Sequence, residues 1–160
     1  MFLRLSDDRY GMQRTDVMKQ FPFPVFEGER FLTESVVWNR IGRRYKNRYV
    51  NEVLCIKEYR ADGLTRSVGQ HLSHNPKGSS LYYQELMAVP EPLPFKVRLG
   101  VHAYYVRYAL HTKTPMLRIL RQGSKHPLFM LLGSVLGLLF FLQDRSTRPA
   151  KPTATKVVLG

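Results

Sequence analysis

Residues 32–59 read LTESVVWNRIGRRYKNRYVNEVLCIKEY, and the fold expected of the chain turns on this run. Thr33 suits the N-cap of a helix that starts at Glu34. Val37, Trp38, Ile41 and Tyr45 then recur at helical spacing and make an apolar face, with Arg40, Arg43, Arg44 and Asn47 mostly elsewhere. From Tyr49 to Tyr59 the period changes. Val50, Glu52, Leu54, Ile56 and Glu58 alternate imperfectly with Asn51, Val53, Cys55 and Lys57, which reads as a strand. Asp62-Gly63 marks a turn after it.

Upstream, RTDVMKQF (14–21) suggests a short helix, with Thr15 as its cap. FPFPVFEGE (21–29) carries two prolines, so it reads as extended or looped. Downstream, NPKGSS (75–80) reads as a loop and SLYYQELMAV (80–89) as a short helix. Pro90, Pro92 and Pro94 break the chain. Val97, Val101, Tyr104, Tyr105 and Tyr108 support a second helix from Phe95 to His111, and Leu117 to Leu120 a short third. The tail after Asp144, RSTRPAKPTATK, is polar and reads as disordered. No internal repeat is visible.

The 160 residues are 44% apolar, with nine Tyr, nine Phe and one Trp. That excludes a wholly disordered chain. Cys55 is the one cysteine, which excludes an internal disulfide framework. The N-terminus turns charged before any apolar run develops, so no secretory signal is read there, and a reducing compartment is expected. The net charge of +13 is uneven. Residues 1–91 hold 14 basic and 11 acidic side chains (net +3), and residues 92–160 hold 11 basic and one acidic (net +10). Such a field favours a polyanion: nucleic acid, an anionic membrane or a phosphorylated ligand.

The basic half also contains LFMLLGSVLGLLFFL, Leu128 to Leu142, without a charge. Arg118, Arg121 and Lys125 precede it; Arg145, Arg148 and Lys151 follow. Fifteen helical residues span roughly 22 Å, short for a bilayer core of about 30 Å. With basic flanks, attachment to an anionic membrane surface is favoured over a plain core helix. The expected membrane contacts are Arg118, Arg121, Lys125, Leu128, Phe129, Phe140 and Phe141. Gly133 and Gly137 form a GxxxG pair, weak evidence of helix dimerisation outside a proven span.

Little chemistry is visible from residue types alone. Neither GxGxxG nor GxxxxGK[ST] occurs. His71 and His74 are three apart, but without a carboxylate motif they read as surface residues rather than metal ligands. Asp7-Asp8 is common surface sequence. Glu34 differs, because a carboxylate in the first turn of a helix is favoured in its ionised form and can accept a proton from a hydroxyl. Helix stabilisation alone explains the same residue.

FPFPVFEGERFLTESVVWNRIGRRYKNRYVNEVLCIKEYRADGLT, residues 21–65, resembles the second half of bacterial family 2 glycosyltransferases of the GT-A fold. RTDVMKQFPFP, NPKGSSLYYQEL and YYVRYALH extend the resemblance to roughly residues 7–143. It implies an α/β fold (α+β as a fragment), the C-terminal portion of a GT-A-type domain followed by basic helices and one apolar helix. Residues 1–94 would be the acceptor-side part, 95–143 a basic, membrane-associated helical region and 144–160 a disordered tail.

The resemblance makes Glu34 the general base that deprotonates an acceptor hydroxyl. The hydroxyl would attack a nucleotide-sugar donor with inversion, and Mg²⁺ or Mn²⁺ would balance charge on the leaving diphosphate. Glu27, Gly28 and Glu29 would shape the acceptor loop; Trp38 and Arg40 would pack or position the helix. The Asp-x-Asp metal triplet of the relatives precedes the region matched here. Hence the chain is expected to be a fragment, to bind no metal or donor itself and to be inactive without a separate donor-binding half. Its expected partners are a sugar or lipid-linked acceptor and an anionic membrane, on the cytoplasmic face of the cell membrane, with no nucleic acid. The competing class is a non-catalytic basic protein that binds membrane surfaces or nucleic acid.

Overall fold

The computed structural model describes residues 11–50, 52–53, 56, 68–123 and 125–147. Its elements are α1 (Thr15–Met18), α2 (Ser35–Gly42), α3 (Val68–His74), α4 (Pro76–Met87), α5 (Phe95–His111), α6 (Met116–Gln122) and α7 (Pro127–Thr147). α5 is the central member. It packs along α7 on one side and α4 on another, while α2 and α3 lean on α4.

The expected α/β class is overturned: the architecture is helical, and no strand occurs among the described residues. The expected strand Tyr49–Tyr59 lies partly outside those residues, as do Asp7-Asp8, Asp62-Gly63, Cys55 and the tail from 148. Tyr49, Val50, Glu52, Val53 and Ile56, which are described, do not lie in a strand. A strand gains its hydrogen bonds from a neighbouring strand, and none stands among the described residues to supply them. Among the described residues the alternation buries neither face, because Val53 and Ile56 are both about nine-tenths exposed.

The helices end where the chemistry of the chain ends them. α4 begins earlier than its sequence pattern suggests, because Pro76 fits the first helical turn, where its missing N–H costs nothing. α5 starts after Pro94 and closes on a Schellman motif. There Thr114 N–H donates to Ala109 O and Lys113 N–H to Leu110 O, with Lys113 left-handed at φ 60°.

The main core gathers Met87, Val101, Tyr105, Val106, Ala109, Ile119 and Met130 from α4 to α7. A smaller one joins Val17 and Phe21 to Val37 and Ile41 of α2. Glycines set the α5–α7 distance. A Cβ on Gly137 would lie 2.5 Å from Ala103 O and 2.7 Å from Val106 Cβ, and one on Gly133 2.7 Å from His102 Cβ. The GxxxG pair therefore seats α7 on α5 of its own chain.

Candidate functional site

Two features carry the residues singled out by sequence. The first is the outer face of α7. Met130, Gly133 and Gly137 are buried toward α5. Leu128, Leu131, Leu132, Val135, Leu138, Leu139 and Leu142 lie 40–63% exposed, at the 3-and-4 spacing of one helical stripe. Phe95, Met116, Leu117 and Leu120 add exposed apolar surface on α5 and α6. Arg118, Arg121 and Lys125 are exposed before α7, and Arg145 near its end. The helix is longer than its uncharged core, 21 residues or about 31 Å, enough by length and composition to cross a bilayer.

The phenylalanines expected among the membrane contacts sit on the other side. Phe129 meets Phe95 and His102, Phe140 stacks on Tyr104 at 5.6 Å, and Phe141 lies 4.7 Å from the His111 ring. Only Leu128 of the expected apolar contacts belongs to the open leucine stripe.

α7 is clamped to α5 by its last turn. Arg107 donates to both Asp144 oxygens at 2.7 and 2.5 Å, and His111 Nε2 lies 2.9 Å from Asp144 Oδ2. Burial alone would push the Asp144 carboxyl up. Donation from Arg107 and His111 outweighs it and holds the carboxyl below its usual range. The Arg107 guanidinium also lies over the rings of Tyr104, Tyr108 and Phe140. Around these rings, burial raises the Tyr108 hydroxyl to about 12.

The second feature is the start of α2. Glu34 is exposed at the helix N-cap, with no side-chain cap bond from that position. The segment before it is tied down. Phe26 O accepts the Glu29 N–H, and Gly28 turns between them at φ 81°, a conformation suited to glycine. This turn aims the Glu29 carboxylate at the start of α4, where it accepts from Lys77 N–H at 2.6 Å and Gly78 N–H at 2.8 Å. Lys77 Nζ returns a bond to Glu27 O at 2.9 Å. Asn75 completes the tie: its Oδ1 accepts from the N–H groups of Arg30 and Phe31, and its Nδ2 donates to His71 O.

Downstream, Arg40 donates to both oxygens of Glu85, and Arg43 donates to the Glu85 carbonyl at 2.9 Å. Trp38 is 37% exposed on the same helix. Thus Glu27, Gly28, Glu29 and Arg40 anchor α2 and its approach to α4, leaving Glu34 at the open end. The sequence reading missed Asn75, Glu85 and Asp144. Only Asp144 had a signal, as the single acid among residues 92–160.

No group of three His, Cys, Asp or Glu side chains able to hold a metal stands among the described residues. Comparison with family models, curated proteins and solved structures returns no match.

Proposed function

We propose that the chain is the acceptor-side, membrane-surface part of an inverting glycosyltransferase that uses a nucleotide-sugar donor and acts in cell-surface polysaccharide or glycolipid synthesis. The carrying observation is the open stripe of seven apolar side chains on α7 between basic flanks. An apolar face with cations at its ends suits the boundary between acyl chains and anionic headgroups, where each nearby Lys or Arg adds about 1 kcal/mol. α7 lies along this surface rather than crossing it alone, because its glycine side is locked to α5, which carries Lys96, Arg98 and Arg107.

The chemical half of the reading rests on the resemblance of residues 21–65 and on the position of Glu34. The Glu34 carboxylate takes the acceptor hydroxyl proton. The hydroxyl oxygen bonds to the anomeric carbon as the bond to the nucleoside diphosphate breaks on the opposite face, inverting the centre. The resemblance, and not the structure, assigns the divalent ion and the nucleotide-sugar donor to a separate donor-binding half.

The test of the membrane face is flotation with phosphatidylglycerol–phosphatidylcholine vesicles. Wild type should float, less at high salt. The double variant Leu131→Asp/Leu138→Asp, on the exposed stripe, should stay at the bottom. Equal flotation of both proteins removes the membrane reading, and a soluble dimer dissociated by the variant would assign the stripe to a second copy. For the base, Glu34→Gln in a complete transferase containing this segment should lower turnover about 10²–10⁴-fold. Turnover within a factor of a few of wild type would remove Glu34.

A further inference from the structure

A cleft of about 300 Å³ opens beside the start of α7, and neither the leucine stripe nor Glu34 uses it. Arg43, Glu85, His102, Gln122, Lys125 and His126 are among the residues that line it, bringing together α2, α4, α5 and the α6–α7 turn. Its charge is one-sided. Glu85 is the sole carboxylate of the lining, and Arg40 neutralises it through two-point donation. Arg43 and Lys125 are then the charges left to the cleft. Arg43 is held at the wall by one bond to the Glu85 carbonyl, which leaves most of its five N–H donors for other work.

A second layer of donors stands behind. Arg98 Nη1 donates to His126 Nε2 at 2.7 Å. His102 is buried, and its Nδ1 lies 2.7 Å from Arg98 O, so that nitrogen carries the proton. Burial foremost, and the nearby His126 and Arg98, hold the His102 imidazole below its usual range. The turn residues Lys125 and His126 lead directly into the 21-residue α7, whose N-terminal end adds positive potential. Leu128, the first residue of the leucine stripe, is two positions beyond His126.

We propose that this cleft binds a phosphate group, as a monoester or diester. Two cations, the amide of Gln122 and a neutralised carboxylate make a site for a compact oxyanion, with charge-assisted bonds supplying the affinity. The same group could arrive as a lipid headgroup, with its chains along the α7 stripe, or as free phosphate. Only the lipid source rests on the membrane reading; the site itself does not.

The test is calorimetric titration of the full chain with inorganic phosphate and, separately, with dihexanoylphosphatidic acid below its micelle concentration, so that neither probe needs a bilayer. Saturable binding is expected. Lys125→Gln, at an exposed position that burdens no core, should weaken it about tenfold, the scale of one charge-assisted bond. Arg121→Gln makes the same charge change outside the lining and should stay within about twofold, the scale of an exposed charge. Tighter binding of the short-chain lipid than of phosphate identifies a headgroup site; equal binding identifies a free-phosphate site. Absence of saturable binding by both probes, or equal losses in the two variants, overturns the proposal. Binding that persists in a chain that fails to float overturns the membrane reading alone.

Discussion

Asp144 shows how much one side chain can hold. It accepts from Arg107 and His111 across the α5–α7 contact, and only 12% of its side chain is exposed. Its carboxyl lies below the usual range, so the folded state binds that proton less readily than the unfolded chain does. The stabilisation is therefore complete above the unfolded value of about 4 and is lost as pH falls through the lower folded value. Asp144→Asn should remove this part of the acid dependence, and urea melts between pH 7 and pH 3 would show it. At pH 7 the variant should lose roughly 1–3 kcal/mol, because Arg107 keeps its charge without its partner. A variant with wild-type stability at pH 7 would show that the clamp contributes nothing. Glu29 is the counterpart in the first half. Its meaning is invisible in the sequence, since Lys77 and Gly78 are 48 and 49 residues away and meet it only because α4 begins at Pro76.

At the scale of elements, the α5–α7 pair depends on the absence of side chains. Gly137 faces the backbone of Ala103, which has no flexible end to move aside. Gly137→Val should therefore force the helices apart and lower stability by about 1–3 kcal/mol, read as a reduced urea midpoint. Val135→Ala, on the open stripe, should change it by less than about 0.5 kcal/mol. Most of this layer was legible beforehand: the helix at Phe95–His111, the apolar helix and the helix after Thr33 all came from period and breakers. The described residues of the expected strand Tyr49–Tyr59 form none, because period 2 reports which side chains share a face and says nothing of whether a neighbouring strand exists to pair with it. NPKGSS failed for the opposite reason. Asn, Pro and Gly usually mark a loop, yet a carboxylate 48 residues upstream turns that segment into a capped helix start.

For the whole molecule, the charge asymmetry and the uncharged run of Leu128–Leu142 were fixed in the composition, and they suffice to predict a cationic half built around one apolar helix. Which side of that helix faces out was decided by tertiary packing. The small residues at 133 and 137 let α7 approach α5 closely, with the leucines turned outward and the phenylalanines inward. Sequence period names a face; only steric fit against a partner helix decides whether that face becomes core or surface. The cleft at the α6–α7 turn is likewise a product of the fold, since Arg43 and Lys125 are distant in the chain and line one cleft only through the packing of α2 on α4, α4 on α5 and α5 on α6 and α7.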